Sequence, residues 1–383
     1  IEYNSGSNKL VIIDNITLVD KSTGNTPGNG GGLHITGNGD VEINGGIVAD
    51  NVAGREGGGL WNGSGTMRLE GVTVENNIAE GNATDDGGGG IFNNGGTVNI
   101  EQSTIANNRT TGAMGTGAGI HNPADASVNI LNSTISGNQS NNNGGGVYNA
   151  GAYTSRNATI ANNVTAGSGG GIYTEDTGTA TIVMTLLADN TGVSGGNALG
   201  GTGMYFSEGY NLVADDDAML LPPADGDIFD VDPRLMPLMD NGGATETHAI
   251  DCDSPANNAG INETGFDEDQ RGLPIFATRD IGAFELQDSC VTDAIANVGM
   301  PLETTLYPNV VRAEQPIYLS IPTELSEALT LRITSLSSGK MIAQRATRAG
   351  VQQLSFREQA SGSYLVQIIA DKRVETHKVI VLE

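Results

Sequence analysis

From near the N-terminus to about residue 190, apolar and polar positions recur in a fixed frame. The frame registers on Asn51, Asn77, Asn108, Asn138, Asn163 and Asn190, spaced 25 to 31 residues apart. Three positions before each stands an aliphatic: Val48, Val74, Ile105, Ile135, Ile160 and Leu187. Eight before stand Ile43, Leu69, Ile100, Ile130, Ser155 and Ile182, and ten before stand Val41, Met67, Val98, Val128, Tyr153 and Ala180. Ser155 is the polar exception and Ala180 the smallest apolar member. Two short alternating segments per repeat, separated by a break, predict strands whose alternate side chains share one interior. Val11, Ile13, Ile16 and Leu18 continue the spacing upstream, for about seven repeats.

Ahead of each pair lies a third apolar element with its own signature: glycine run, aliphatic, ring, Asn. Gly87-Gly88-Gly89-Gly90-Ile91-Phe92-Asn93 is the clearest copy. Three short strands in roughly 27 residues predict an all-β, right-handed parallel β-helix. At about 4.8 Å per coil, seven coils make a rod of about 34 Å. A leucine-rich repeat is excluded because its leucine signature is missing, and propeller blades need about 40 residues or more. Glycines and asparagines at fixed offsets fit corners that need positive φ.

The third strand predicts two ladders. Asn62, Asn93, Asn122 and Asn149, with Thr174 in the sixth coil, alternate inward if the aliphatic two residues earlier does. Their amides then hydrogen-bond along the rod. His34, Trp61, Phe92, His121, Tyr148 and Tyr173 follow Leu33, Leu60, Ile91, Ile120, Val147 and Ile172 by one position, and so face outward. Such a stripe either packs ring on ring and shields the adjoining turn, or stacks on sugar rings or another protein. Variable loops before the glycine runs, such as 79–86 and 110–116, project on the same side.

Composition narrows the classes. The 383 residues carry 56 glycines and few aromatics, which excludes an ordinary helical core. No apolar run is long enough to cross a bilayer as a helix. Ile1 begins inside a strand-like pattern, so the chain reads as a mature or truncated form. Net charge is −27, and it is lopsided: nine cations and 37 carboxylates precede residue 301, nine and eight follow. A surface this acidic repels phosphate backbones, which argues against a nucleic-acid partner. Cys252 and Cys290 are either one disulfide in an oxidising compartment or two unrelated thiols.

Past Asn190 the repeat decays into acidic, irregular sequence. Asp215, Asp216 and Asp217, with Asp225 and Asp227, are candidate ligands for a structural calcium ion. The alternative is solvated acidic turns. No other cofactor is implied. Gly209-Tyr210-Asn211-Leu212-Val213, Asp232-Pro233-Arg234-Leu235, Ser254-Pro255-Ala256, Asp269-Gln270-Arg271-Gly272 and Arg279-Asp280-Ile281-Gly282-Ala283-Phe284-Glu285 follow in order. This series resembles the C-terminal part of bacterial β-helix proteins of the choice-of-anchor Q type. The segment is expected to close the open end of the rod, where unpaired edges and an apolar cross-section would otherwise face water. Arg234, Arg271 and Arg279 are expected as buried or half-buried ion-pair anchors, and a Cys252–Cys290 bond would staple the cap.

After 291–302, read as a linker, glycine becomes sparse and regular strands return. Leu306-Tyr307-Pro308-Asn309, Ser338-Gly339-Lys340, Gly362-Ser363-Tyr364-Leu365-Val366 and Lys378-Val379-Ile380-Val381 resemble the C-terminal sorting domain of type IX secretion in Bacteroidota. Val310 stands where that domain usually has a second proline. The resemblance implies type IX machinery and a cell-surface sortase as partners, and an extracellular or outer-membrane location. By pattern alone the tail is an antiparallel β-sandwich. The expected domains are thus a β-helix over 1–205, an acidic cap over 206–290, the linker, and a sorting domain over 303–383.

Catalysis is not expected. Lyase chemistry on uronic acids needs a cationic base beside calcium-holding carboxylates, and the few solenoid cations share no register with an acidic cluster. Hydrolase chemistry needs two opposed carboxylates, and Asp85-Asp86 lies in a variable loop. His34 and His121 are three coils apart, too far to share an ion. The chain reads as a surface protein for adhesion or glycan contact, in keeping with a similarity of its repeats to chlamydial polymorphic membrane proteins. A polysaccharide lyase or glycoside hydrolase is the alternative.

Overall fold

The computed structural model describes residues 2–5, 10–24, 28–287, 304–312, 314–322, 329–336, 340–357, 359–370 and 373–382. The chain divides into two compact units, Ile1–Ser289 and Cys290–Glu383. The first is a parallel β-solenoid. Its coils stack in the frame read from the sequence: Val41, Met67, Val98, Val128, Tyr153 and Ala180 are paired in one unbroken register. The six are 2 % exposed or less and lie in one apolar core with Val48, Val74, Ile105, Ile135, Ile160 and Leu187. Ser155, the polar exception, is buried at Oγ against Thr185 Oγ1, 3.1 Å away.

Three parallel sheets run the length of the rod. In the early coils the two alternating segments form one ten-residue strand, as in Asp40–Ala49 and Thr66–Glu75. From the next coil they separate into pairs such as Thr97–Glu101 and Thr104–Ala106. The break coincides with a column of left-handed residues that runs through Gly71, Gln102, Asn132, Asn157 and Met184. A second such column, through Asn76, Asn107, Gly137, Asn162 and Asp189, forms the next corner. The paired asparagines therefore divide the work. The first takes positive φ, which Asn tolerates better than most residues, and the second turns inward.

Those inward carboxamides form a ladder through the core. Nδ2 of Asn51, Asn77, Asn108, Asn138 and Asn163 each donates to Oδ1 of the next, at 2.9–3.0 Å. Each acceptor oxygen also takes the backbone N–H of the preceding ladder member, as in Asn77 N to Asn108 Oδ1 at 3.0 Å. The second donor goes to a carbonyl of the previous coil, as in Asn108 Nδ2 to Val74 O at 3.0 Å. Asn62, Asn93, Asn122 and Asn149 make the parallel ladder expected of them, at 2.8–3.0 Å. Glycine beside these ladders is a packing requirement. A Cβ on Gly90 would sit 2.7 Å from Gly119 O and 2.9 Å from Asn108 Nδ2.

The acidic segment only partly closes the rod. Leu212–Val213 and Ile228–Phe229 add final rungs, and Leu221 joins the solenoid core with Leu220 and Phe229 against it. The chain beyond does not cover the end. It folds back along the side of the solenoid, where Ile250, Ala256, Ile281 and Phe284 pack on Leu186 and Leu212. Hydrogen bonds carry it further back toward the N-terminal coils. Gln270 accepts from Thr134 Oγ1 at 2.6 Å and donates to Thr104 Oγ1 at 2.9 Å, and Thr245 Oγ1 donates to Gln102 O at 2.9 Å. The expected end cap is therefore mainly a lateral strap. Its inner face pairs with Thr104, Thr134 and main chain in the middle of the 14-stranded sheet.

Of the three arginines expected as ion-pair anchors in this segment, Arg271 has its side chain buried in an ion pair, 2.7 Å from Asp269. Its guanidinium also lies 3.9 Å above the Phe284 ring. Arg279 is 2 % exposed and donates to the carbonyls of Phe266 and Glu268. Arg234 is a correction: it is exposed and stands 3.6 Å from an exposed Asp253, because its neighbours Pro233 and Leu235 take the inward positions and its own positive-φ turn faces water. Burial, with Asp280 nearby, pushes Glu285 up to about 7. Cys252 is disulfide-bonded; Cys290 and the 291–302 linker lie outside the described residues.

The second unit has a separate core containing Val311, Leu319, Leu331, Phe356, Val366 and Val379. It comprises a three-stranded and a five-stranded sheet, antiparallel throughout except where Val310–Arg312 runs parallel to the last strand. Thr305–Tyr307 and Val310–Arg312 are strands that the sequence pattern does not announce. Each is three residues long, too short to display a period.

Asn108→Ala should lower stability by about 2–4 kcal/mol, since it leaves buried donors and acceptors on two neighbouring coils without partners. The change is read as a lower urea midpoint. Asn129→Ala removes an exposed bond of the same type, to Asn99 at 2.9 Å, and should shift stability by no more than about 0.5 kcal/mol.

Candidate functional site

The ring stripe is built by three-residue strands of one sheet, and its order follows the coil register from His34 through Trp61, Phe92, His121 and Tyr148 to Tyr173. The rings form one column. Centroids are 4.6 Å apart for His34–Trp61, which meet edge to face, and 6.4, 4.6, 4.8 and 5.6 Å for the four stacked pairs that follow. Coil stacking sets these distances, because in-register parallel strands repeat at about 4.8 Å.

The column is on the outer face of its sheet, yet most of it is not exposed. His34 and Trp61 are 8 % exposed, Phe92 4 % and His121 2 %. Of the two readings of the stripe, its first four members follow the ring-on-ring one, and the cause of their burial is the turn before each glycine run. That turn rises over the ring column and fixes it with polar contacts. Glu56 accepts from Trp61 Nε1 at 3.0 Å and from Arg55 at 3.2 Å; Arg55 also pairs with Asp86 at 2.7 Å. Asp86, considered above as half of a catalytic pair, is buried and caps the Ala83 N–H at 2.8 Å. His121 Nδ1 lies 2.8 Å from Thr116 Oγ1. Burial lowers the His121 pKa to about 4, so the ring is neutral at physiological pH.

The far end of the column differs. Tyr148 and Tyr173 are half-buried. In the next coil the ring position is Gly200, which pairs with Tyr173. A Cβ there would lie 2.4 Å from Gly169 N and Ser168 Oγ, so the backbone leaves no room for a seventh ring. Tyr173 is thus the last ring of the column, with Tyr148 stacked on one side and the Gly200 coil on the other. Glu175 and Asp176 follow after Thr174. Glu175 accepts from the Tyr148 hydroxyl at 2.6 Å, and Asp176 from Thr202 Oγ1. Burial and these two carboxylates raise the Tyr173 pKa, which keeps its hydroxyl protonated. Sequence reasoning missed Glu175 and Asp176 as members of the site. The available signal was their place in the frame, where earlier coils carry uncharged Asn94, Pro123 and Ala150.

The aspartates proposed for calcium are not gathered into one site. Asp217 accepts from Gly196 N and Asn197 N, Asp215 from Asn197 Nδ2, and Asp216 from Leu220 N. Asp227 takes Ser207 Oγ, Asn211 N and Ala224 N, while Asp225 contributes its carbonyl to Tyr210 N. These carboxylates close turns. Among the described residues, no group of three or more His, Cys, Asp or Glu side chains is placed to share a metal ion.

The second unit decides where the protein goes. Residues 305–382 match the family described as secretion system C-terminal sorting domain. The chain is an exported β-helix protein. Its tail engages the type IX secretion machinery, and its destination is the cell surface or the extracellular space. No helix is long and apolar enough to cross a membrane among the described residues. No curated protein and no solved structure matches the chain.

His121 predicts an acid sensitivity with a definite sign. Its folded pKa lies below the unfolded value of 6.5, so the unfolded chain binds the proton more readily between those limits. Stability from this group is present above pH 6.5 and falls until pH reaches about 4, by up to about 3 kcal/mol. His121→Phe should preserve the column and remove this loss. Its stability relative to wild type, from urea midpoints, should improve steadily as pH drops from 6.5 to 4.

Proposed function

We propose that the exported solenoid is a glycan-binding surface protein and that Tyr173 is the platform on which a sugar ring stacks. The supporting observation is that the last ring of the column, Tyr173, is half-buried, whereas Trp61, Phe92 and His121 are buried. A flat aromatic face with a wet, polar edge suits a ligand that is apolar on one side and hydroxylated at the rim. Glu175 and Asp176 supply acceptors for hydroxyls at that rim. A groove of about 480 Å³ begins at the same turn, at Thr177, and crosses three coils over Ser127, Ala152 and Thr179. A polymer lying along the rod axis would occupy both features.

Charge selects the class of glycan. With net charge −27 and two carboxylates at the platform, polyuronates and sulfated glycans are repelled. Neutral or amino sugars are favoured. The same repulsion weighs against the polyuronate lyase alternative.

Removal of the tail by a sortase, with anchoring or release of the solenoid, is the route we propose after export. It rests on the resemblance of the tail. We read the strap as the choice-of-anchor Q segment on the order of its motifs alone.

A glycan array and titration calorimetry test the binding site. Tyr173→Ala should weaken the selected neutral glycan by about tenfold or more, corresponding to roughly 1–2 kcal/mol of lost ring contact, with little change in the urea midpoint. Trp61→Ala and Phe92→Ala should instead lower stability by about 3–5 kcal/mol. Binding that survives Tyr173→Ala undiminished would remove the platform from consideration.

A further inference from the structure

Where the strap crosses the second corner of the solenoid it encloses a cleft of about 510 Å³, lined on the solenoid side by Ser136 and on the strap side by His248. Ser136 ends the strand Thr134–Ser136. Its Oγ lies 2.8 Å from Nε2 of His248, and Nδ1 of His248 lies 2.7 Å from the carbonyl oxygen of Met236. A carbonyl can only accept, so Nδ1 carries the proton and Nε2 is left as an acceptor. The Ser136 hydroxyl must then donate to Nε2. Hydroxyl, imidazole and orienting acceptor thus stand in the order required to activate an oxygen nucleophile, with a backbone carbonyl as the third group. Burial lowers the His248 pKa, which keeps the ring neutral and able to accept a proton.

We infer that Ser136 and His248 form a nucleophile–base pair for acyl transfer, acting on short-chain esters that carry no negative charge. Ser136 Oγ bonds to the carbonyl carbon as its proton passes to His248 Nε2. The intermediate then breaks its bond to the leaving alkoxide, which takes that proton. Water attacks the acyl carbon next, its proton passing through Nε2, and the acid leaves as Ser136 regains its hydrogen. The oxyanion has to be met by side chains, because the nearby backbone N–H groups of Asn107, Gly137 and Asn162 already bond to neighbouring coils. Asn107 and Asn162 line the cleft, and that role is assigned to their carboxamides. The substrate class follows from the rest of the wall. Met236 and Leu238 offer an apolar side to a short acyl group, and Asp189 and Glu246 repel anions.

The pair also pins the strap to the solenoid, so the test must separate reactivity from structure. The full chain is treated with an alkyl fluorophosphonate probe, and the labelled peptide is located by mass spectrometry. p-Nitrophenyl acetate hydrolysis is followed in parallel. Labelling at Ser136, absent in S136A and reduced by about a hundredfold in H248Q, is the expected result. No label at Ser136 in the folded wild-type protein would overturn the inference, as would equal labelling and turnover in H248Q. If H248Q does not fold, S136C decides. An alkylation rate at pH 7 about tenfold above that of a simple thiol supports a base at Nε2, and a rate at or below the simple thiol's refutes it.

Discussion

Carboxamides buried in an apolar core must find partners there, and this requirement governs the solenoid. An asparagine amide offers two donors and an oxygen with two lone pairs, and leaving any of them unpaired in the core costs about 1–3 kcal/mol. Asn108 meets the requirement by bonding to one coil with its oxygen and to two with its nitrogen. That arrangement works only if neighbouring coils place the same residue at the same height. Coil length is free to vary between ladder positions, and it does, from 25 to 31 residues. The variation is expelled into the turns ahead of the glycine runs, where extra chain meets water instead of the core.

The same stacking imposes the aromatic column. Once Ile91, Ile120 and Val147 are held in register inside, Phe92, His121 and Tyr148 have to stand one above another outside. Apolar rings in such a column gain contact with each other, and the rising turns exclude water from them. The polar groups drawn in by this burial are individually accounted for. Glu56 takes the Trp61 N–H, and Thr116 takes His121. Burial has opposite consequences in two places. It lowers His121, which penalises acid, and raises Glu285, whose contribution weakens as pH climbs from about 4.5 toward 7. The acidic chain is therefore not simply acid-stable or acid-labile; the ring column and the strap respond in opposite directions.

How much of this could be read in advance follows from how local each signal is. The Asn51-to-Asn190 frame predicts the coil register residue by residue, because one repeat dictates the next. Phe92 on the outer face follows from alternation with Ile91. Its burial does not, since that depends on the path of a turn of variable length and on Glu56 and Asp86 bending inward. The strap was legible only as a departure from the repeat. Gln270 reaching Thr134, and His248 reaching Ser136, join residues more than a hundred positions apart with no period to connect them. The expected end cap describes Leu212 to Phe229 and not the strap beyond, because short motifs in order do not say which surface of the rod they lie against.

The division between stability and function follows from the same periodicity. In the interior of a repeat array, each ring has a neighbour on both faces, so changing it disturbs two interfaces and reads out as lost stability. Tyr173, the last ring, has a ring on one side and the main chain of the next coil on the other. Tyr173 is in that position because Gly200 cannot carry a side chain. Its ring is only half-buried, so it carries less of the packing than the rings before it. The break in the repeat at Gly200 ends the ring column but not the rod, whose later rungs at Leu212–Val213 and Ile228–Phe229 continue the backbone pairing without a ring to stack.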